Sequence, residues 1–256
     1  MSMQKKLTRN NLEIGDYFDI SLDIFLKNIQ VFLLFLVVNY LPIILFVAWS
    51  AQIKALLQNV DFTSEEYTIF YLFSAVFIFA ATLVQLAIPI LTERAVLGRS
   101  IDALSILKTA LPKVIPMLLV TIVFGIILAV GYILLIVPGI YLTLSFIFFP
   151  QVIALRKCRV SALSYSWSLV KGQWWKVFSR LFILDITWCI FVLLVSILFN
   201  FINFIFFVSF AFPALQFALG IIFYIFGASI SCLMNVIYVV FFLNLDYIKN
   251  TTTATS

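Results

Sequence analysis

The feature that most constrains this chain is an apolar run far longer than a soluble domain would carry. Residues 181–245 contain one charged side chain, that of Asp185. About 20 apolar residues cross the hydrocarbon core of a bilayer as a helix, so this run alone has room for two or three spans. In the whole chain 64% of residues are hydrophobic and 11% are charged, against about 45–50% and ~25% in soluble domains. The sequence predicts a polytopic membrane protein and excludes soluble, disordered and disulfide-stapled secreted chains.

Six apolar segments are predicted to span the membrane, which makes the fold an all-α polytopic helical bundle. In the last apolar run we predict two spans joined by an apolar segment at 200–216, and seven spans in total is the alternative. The fourth segment is short for a span, so we expect packing or local thinning of the bilayer to compensate. Pro138-Gly139, just before it, is predicted to form a tight outer hairpin turn. The predicted spans are 29–49, 67–91, 114–137, 140–155, 181–199 and 217–245.

Basic residues are concentrated on one side of this predicted topology. Of 16 Lys and Arg residues, all except Lys54 lie before the first span, in the connections 92–113 and 156–180, or after the last span. Because basic residues favour the cytoplasmic side of a membrane, both termini are predicted to be cytoplasmic. The chain then divides into a cytoplasmic amphipathic segment at 1–28, a six-helix transmembrane domain at 29–249 and a short polar tail at 250–256.

A threefold pattern accompanies the spans. The first, third and fifth spans each follow a short segment whose apolar residues recur at helical spacing. Three interfacial amphipathic helices are therefore predicted, each lying along the inner leaflet and leading into a transmembrane hairpin. The apolar stripes are Ile14, Phe18, Leu22, Phe25 and Ile29 in the first, Ile101, Leu104, Leu107 and Leu111 in the second, and Leu163, Trp167, Val170 and Trp174 in the third.

Several stretches also carry a family resemblance. Residues 99–116 lead into an apolar helix that ends at 135–141 with Pro138-Gly139, and an Ala-Leu, Ser-Trp and Lys-Gly pattern follows at 161–175. Together with residues 17–28, these stretches resemble the YciC-like family of bacterial inner-membrane proteins and the membrane domain fused to some glycerophosphoryl diester phosphodiesterases. The resemblance implies a six-span protein of the cell inner membrane without an assigned activity. It supplies no catalytic residues.

Few residues are candidates for chemistry. Histidine is absent, which excludes Ser-His-Asp triads and His-ligated metal sites. Asp185 is the candidate ionisable residue inside the membrane, as a proton or cation relay or as a residue that reaches the inner interface or a basic partner. Polar side chains in the spans either line a path or hold helices together by hydrogen bonds. These are Asn39, Gln85, Asn200, Asn203, Gln216 and Asn235.

The connection 156–180 is rich in basic residues and tryptophan and contains no acidic residue. Tryptophan favours the headgroup zone, and each basic residue near an anionic surface adds about 1 kcal/mol of attraction. The segment therefore anchors the topology or binds anionic lipid headgroups or a partner protein. The candidate headgroup contacts are Lys171, Trp174, Trp175, Lys176 and Arg180.

The leading functional hypothesis is a membrane protein that is not an enzyme and that supports lipid homeostasis or scaffolds a partner. A small-solute or lipid transporter is the alternative, and an intramembrane enzyme ranks third because no paired carboxylates or nucleophile cluster appears in the spans. The sequence predicts no cofactor, no metal site and no nucleic-acid binding. The expected partners are membrane lipids with anionic headgroups and an unidentified protein.

The charge distribution predicts the topology directly. In a cysteine-free variant, a cysteine at position 59 should react with a membrane-impermeant maleimide added to intact cells, and a cysteine at position 159 should not. Strong labelling at 159 would contradict the predicted orientation.

Overall fold

The computed structural model describes residues 3–8, 12–56, 64–156, 161–209 and 213–255. The two labelling positions, 59 and 159, lie outside these ranges. The described chain consists of helices joined by short turns. In order, these are α1 (Met3–Leu7), α2 (Ile14–Lys27), α3 (Ile29–Leu56), α4 (Ser64–Val96), α5 (Ala103–Ala110), a 3-10 turn (Leu111–Lys113), α6 (Val114–Leu134), α7 (Ile136–Phe146), α8 (Phe149–Leu155), α9 (Ala162–Val170), α10 (Trp174–Ser209) and α11 (Pro213–Thr255).

The predicted all-α polytopic bundle is confirmed. Five described segments are long and apolar enough to cross a membrane, and the number is six if the pair α2–α3, bent by 81°, forms one span. The five segments are Thr68–Val96, Ala103–Ile133, Ile136–Leu155, Trp174–Ile202 and Ile225–Thr251.

The last apolar run forms two long helices, so the structure favours six spans over seven. Where the structure describes the predicted joining segment 200–216, it is helical and not a separate element, because α10 continues through Asn200 to Ser209 and α11 begins at Pro213. These helices contain 36 and 43 residues. At about 1.5 Å per residue they are roughly 54 and 65 Å long, so both extend beyond the ~30 Å hydrocarbon core.

The turn between the third and fourth spans is at Leu135, which corrects the prediction for Pro138-Gly139. Leu135 has an extended backbone, with φ −167° and ψ 150°. Pro138 lies in the first turn of α7, where a helix does not need its backbone N–H. Consequently the fourth span is Ile136–Leu155, with 20 residues, and the shortfall expected for 140–155 disappears.

Gly139 has a packing role instead. It is buried where α7 lies against α6, and a Cβ atom placed on it would be 2.5 Å from Tyr132 Cδ1. Tyr132 and Thr143 share a hydrogen bond of 3.1 Å between their hydroxyl oxygens across the same hairpin. Glycine at 139 therefore allows the two helices of this hairpin to approach closely.

Short helices occur at the three predicted places as α2, α5 and α9. Because α5 belongs to the same membrane-crossing segment as α6, Ala103–Ile133, the expected position of the three helices along the inner leaflet stays a prediction. Their apolar stripes are divided between two environments, since Phe18, Leu104 and Leu111 are exposed whereas Phe25 and Val170 are buried. The third helix also ends at Val170, so Trp174 belongs to α10 rather than to the stripe. The residues that face the protein most closely are Tyr17 and Ile24 in α2, Ile106 and Ala110 in α5, and Ser166 and Leu169 in α9.

The core lies toward one end of the bundle. There the C-terminal half of α11 packs against α2 and α4, and Phe148 contacts Phe241 and Phe242 at ring distances of 5.8 and 5.9 Å. We call this end the basic end, because it carries Arg94, Arg156, Arg180 and Lys249 and the short helices that bond to them.

The short helix α1 contacts α11 at the basic end. The Asn244 amide on α11 donates to the carbonyl of Leu7 on α1. Away from this end α6 and α10 expose most of their apolar side chains. This is the distribution expected of helices that face lipid, because lipid tails cover apolar side chains that water would not.

The close approach at Gly139 predicts a position-specific effect of a single methyl group. Gly139→Ala should destabilise the purified protein by about 1–3 kcal/mol, the usual cost of overpacking, and lower its melting temperature in mild detergent. Gly125→Ala is the matched control, because a Cβ there would meet nothing within 4 Å. In the double variant Gly139→Ala, Tyr132→Ala the clash should be absent. Equal melting temperatures for Gly139→Ala and Gly125→Ala would contradict the close approach of the two helices at Gly139.

Candidate functional site

The guanidinium of Arg156, directly after α8, bonds to two carboxylates from other helices. Its Nη1 donates to Glu93 Oε1 on α4 at 2.7 Å, and its Nη2 donates to Asp246 Oδ2 on α11. The Asp246 side chain is 0% exposed. A buried carboxylate needs such partners, since an unpaired one costs several kcal/mol. This triad ties three spans together at the basic end.

Asp246 also orients the short helix α9. The hydroxyl of Tyr165 donates to Asp246 Oδ1. Lys249, one turn beyond Asp246, donates to Ser168 Oγ and lies 4.9 Å from the centre of the Tyr165 ring. Burial, and then the hydrogen bond to Asp246, raise the pKa of Tyr165 to about 12. Tyr165 therefore stays a hydrogen-bond donor at neutral pH.

Charge pairing also raises the pKa of Arg156. Burial alone would lower it, but the hydrogen bonds to Asp246 and Glu93 outweigh that effect. A guanidinium fixed in its charged form by two carboxylates is a structural cross-link. It does not offer a group that exchanges protons.

Sequence reasoning missed this triad. We placed Glu93 and Arg156 in connections and Asp246 just past the last span, so none of the three was a candidate. The available signal was that Asp246 follows an apolar run without an intervening loop, and that Glu93 is an acid among basic residues.

A second connected group contains Arg180, one of the candidate lipid contacts. Its Nη1 donates to Tyr17 Oη at 2.8 Å, and its Nη2 donates to the carbonyl of Leu12 at 2.9 Å. Tyr17 in turn donates to Asn244 Oδ1 at 2.8 Å. The guanidinium also lies 5.9 Å from the centre of the Phe241 ring. Arg180 therefore holds α2 against α10 and α11, and two of its donor nitrogens bond to protein.

The other four candidate contacts lie at the turn between α9 and α10. Gly172 has φ +86°, a conformation that glycine adopts readily, and it separates the two helices. Trp174 is half-buried and stacks on Tyr141 and Phe178, at ring distances of 5.7 and 5.3 Å. Lys171 and Lys176 are exposed, and the Trp175 side chain is 74% exposed. The outward-facing members of the predicted set are thus Lys171, Trp175 and Lys176.

Asp185 lies on α10, and its Oδ1 accepts a hydrogen bond from the Tyr238 hydroxyl on α11. Asp185 and Asn235 line the same cavity between these helices, and Gln85 is not among its lining residues. The amides of Asn200 and Asn235 donate to carbonyls one turn back in their own helices, at 2.8 and 3.0 Å. These two amide donors do not hold neighbouring helices together, contrary to one of our expectations. The side chains of Asn203 and Gln216 lie outside the described residues.

Removing the negative charge of Asp246 tests how much the triad stabilises the fold. Asp246→Asn should lower the stability of the purified protein by about 3 kcal/mol, because Arg156 loses one of its two carboxylates in a buried site. Glu93→Gln should cost less, since Glu93 is partly exposed, and Asp19→Asn on the exposed face of α2 should have no effect. Thermal melts in detergent provide the measurement. If Asp246→Asn were as stable as Asp19→Asn, the carboxylate of Glu93 alone would be enough to stabilise the charge of Arg156.

Comparison with protein-family models, with curated proteins and with solved structures found no match. The resemblance to the YciC-like family stays a prediction. The chain is a multi-pass membrane protein with an all-α fold, and its candidate sites rest on the geometry described above.

Proposed function

We propose that this chain is an integral membrane protein without catalytic activity that supports lipid homeostasis or scaffolds a partner by holding anionic lipid headgroups at its basic end. The observation that carries the proposal is the exposure of Lys171 at the end of α9 and of Trp175 and Lys176 at the start of α10. Basic side chains attract anionic headgroups, and tryptophan favours the headgroup zone. The absence of histidine from the sequence agrees with a role that is not enzymatic.

We also propose that the basic end faces the cytoplasm and that the membrane is the cell inner membrane. The segregation of Lys and Arg supports this orientation. The anionic lipids of the inner leaflet would then lie at the same level as Lys171 and Lys176.

Exposure defines the proposed headgroup surface, which consists of Lys171, Trp175 and Lys176. Arg156 and Arg180 are bonded to protein groups, and Lys27 is paired with Asp23 at 2.8 Å. Arg180 therefore has a structural role beside the proposed headgroup surface. Trp174 supports the turn by stacking on Tyr141.

The double variant Lys171→Gln, Lys176→Gln should bind phosphatidylglycerol about 10- to 30-fold more weakly than the wild type. The estimate follows from about 1 kcal/mol per basic residue near an anionic surface. Titration of the purified protein in detergent with fluorescent phosphatidylglycerol provides the measurement, and binding by the wild type should weaken with added salt.

Two variants serve as controls. Lys27→Gln should leave lipid affinity unchanged, because Asp23 already neutralises that charge. Arg180→Gln should lower thermal stability instead, because it removes bonds to Tyr17 and Leu12. Equal affinities for wild type and double variant would leave the two lysines with only an orienting role.

A small-solute or lipid transporter is the second candidate. The observation in its favour is that Asp185 and Asn235 meet in one cavity between α10 and α11. Intramembrane carboxylates are common on substrate and ion pathways. Solute flux into sealed vesicles that contain the purified protein would separate a transporter from a scaffold.

A further inference from the structure

The α10–α11 groove is a small cavity between the two longest helices, with a volume of about 250 Å³. A water molecule occupies about 30 Å³ of the liquid, and drug-sized ligands occupy pockets of about 300–1,000 Å³. The groove therefore has room for a small polar group rather than for a large ligand. Its lining residues are Asp185, Trp188, Ser231, Met234, Asn235 and Tyr238.

The groove offers three hydrogen-bond acceptors beside the donors of Trp188, Tyr238 and Ser231. Asp185 offers two carboxylate oxygens, one of which accepts from Tyr238. The Asn235 amide nitrogen is bonded to the Ser231 carbonyl of its own helix, so its side-chain carbonyl is the part that can accept. The Ser231 hydroxyl adds a third acceptor. Such a set is suited to a ligand that carries several N–H donors.

The walls of the groove favour a positive charge. Trp188 and Tyr238 both line it, and aromatic faces attract ammonium groups by cation–π interaction. Among the residues that the structure describes, Asp185 forms no salt bridge. A carboxylate inside a membrane span is costly unless a cation or a proton neutralises it.

The groove also opens sideways out of the bundle. Asp185, Ser231 and Asn235 are all exposed at its mouth. Asp185 lies five residues beyond Arg180, which is about 7.5 Å along the helix axis. Since Arg180 is bonded to α2 at the basic end, the groove lies within headgroup reach of that side of the membrane.

We propose that the α10–α11 groove binds a primary ammonium group, held by Asp185, Asn235 and Ser231 against Trp188 and Tyr238. The three N–H donors of a primary ammonium match the three acceptors, whereas a quaternary ammonium has none. The group comes either from the headgroup of an aminophospholipid or from a small soluble amine. This site is separate from the proposed anionic-lipid surface, and either can fail without the other.

The test compares lipids with identical acyl chains on the purified full-length protein. Native mass spectrometry should show that phosphatidylethanolamine binds about tenfold or more tightly than N-acetyl-phosphatidylethanolamine, in which the ammonium group is replaced by an amide. Phosphatidylcholine, with a quaternary ammonium, should bind more weakly than phosphatidylethanolamine. Equal affinities for all three lipids would overturn the proposal.

Variants locate the site. Asp185→Asn keeps the shape of the side chain and should abolish the preference for phosphatidylethanolamine, and Tyr238→Phe should reduce it. Asp19→Asn, an exposed carboxylate on α2, is the matched control and should keep the preference. A preference that survives Asp185→Asn would place the ammonium elsewhere and overturn the site. If that variant does not fold, the lipid comparison on the wild type and on Tyr238→Phe still decides.

Two further experiments identify the source of the ammonium group and separate the groove from the proposed headgroup surface. Displacement of phosphatidylethanolamine by free ethanolamine at millimolar concentration would assign a soluble amine, and no displacement would assign the lipid. Lys171→Gln, Lys176→Gln should retain the preference for phosphatidylethanolamine, because the groove does not include those residues. Loss of the preference in that variant would overturn the assignment to the groove.

Discussion

The guanidinium of Arg156 lies between Glu93 and Asp246, two carboxylates that come from helices far apart in the chain. Each of these charges would be costly to bury alone, so the three spans that carry them must meet at one point. The short helix α9 is attached to the same point through Tyr165. Around this cross-link the aromatic side chains Phe148, Phe241 and Phe242 fill the core of the basic end. The rest of the architecture, including the position of α2 through Tyr17 and Asn244, depends on this packed end.

Away from the basic end, the helices expose their apolar side chains rather than bury them. The helices α6 and α10 expose rows of Ile, Leu and Phe side chains along most of their lengths. In lipid no hydrophobic force drives such surfaces together, so helix contacts there depend on close packing. The α6–α7 hairpin achieves this with glycine at 139, against which the Tyr132 ring lies. The protein is thus held together tightly at the basic end and is open to lipid elsewhere.

Basic residues that look equivalent in the sequence have different roles in the fold. Arg156 and Arg180 connect helices through their hydrogen bonds, whereas the side chains of Lys171 at the end of α9 and Lys176 at the start of α10 are exposed. The proposed headgroup surface consists of the second group together with Trp175. Further along α10, the carboxylate of Asp185 and the hydrogen-bond acceptors of α11 line a cavity that favours a positive charge. An anionic headgroup and an ammonium group would therefore be recognised at separate places on one helix.

The sequence by itself determined the all-α polytopic fold, the long apolar helices and the places of three short helices, because apolar runs and helical spacing are local properties of the chain. It placed the hairpin turn at Pro138-Gly139, but the turn is at Leu135, since proline is accepted in the first turn of a helix. It placed Asp185 inside a span, but its pairing with Tyr238 and the cavity with Asn235 join residues from different helices. The tertiary structure alone decided that Asp246 is buried against Arg156 and that Arg180 faces Tyr17. A pattern along one helix cannot show which neighbouring helix supplies the partner, because that depends on how the spans pack.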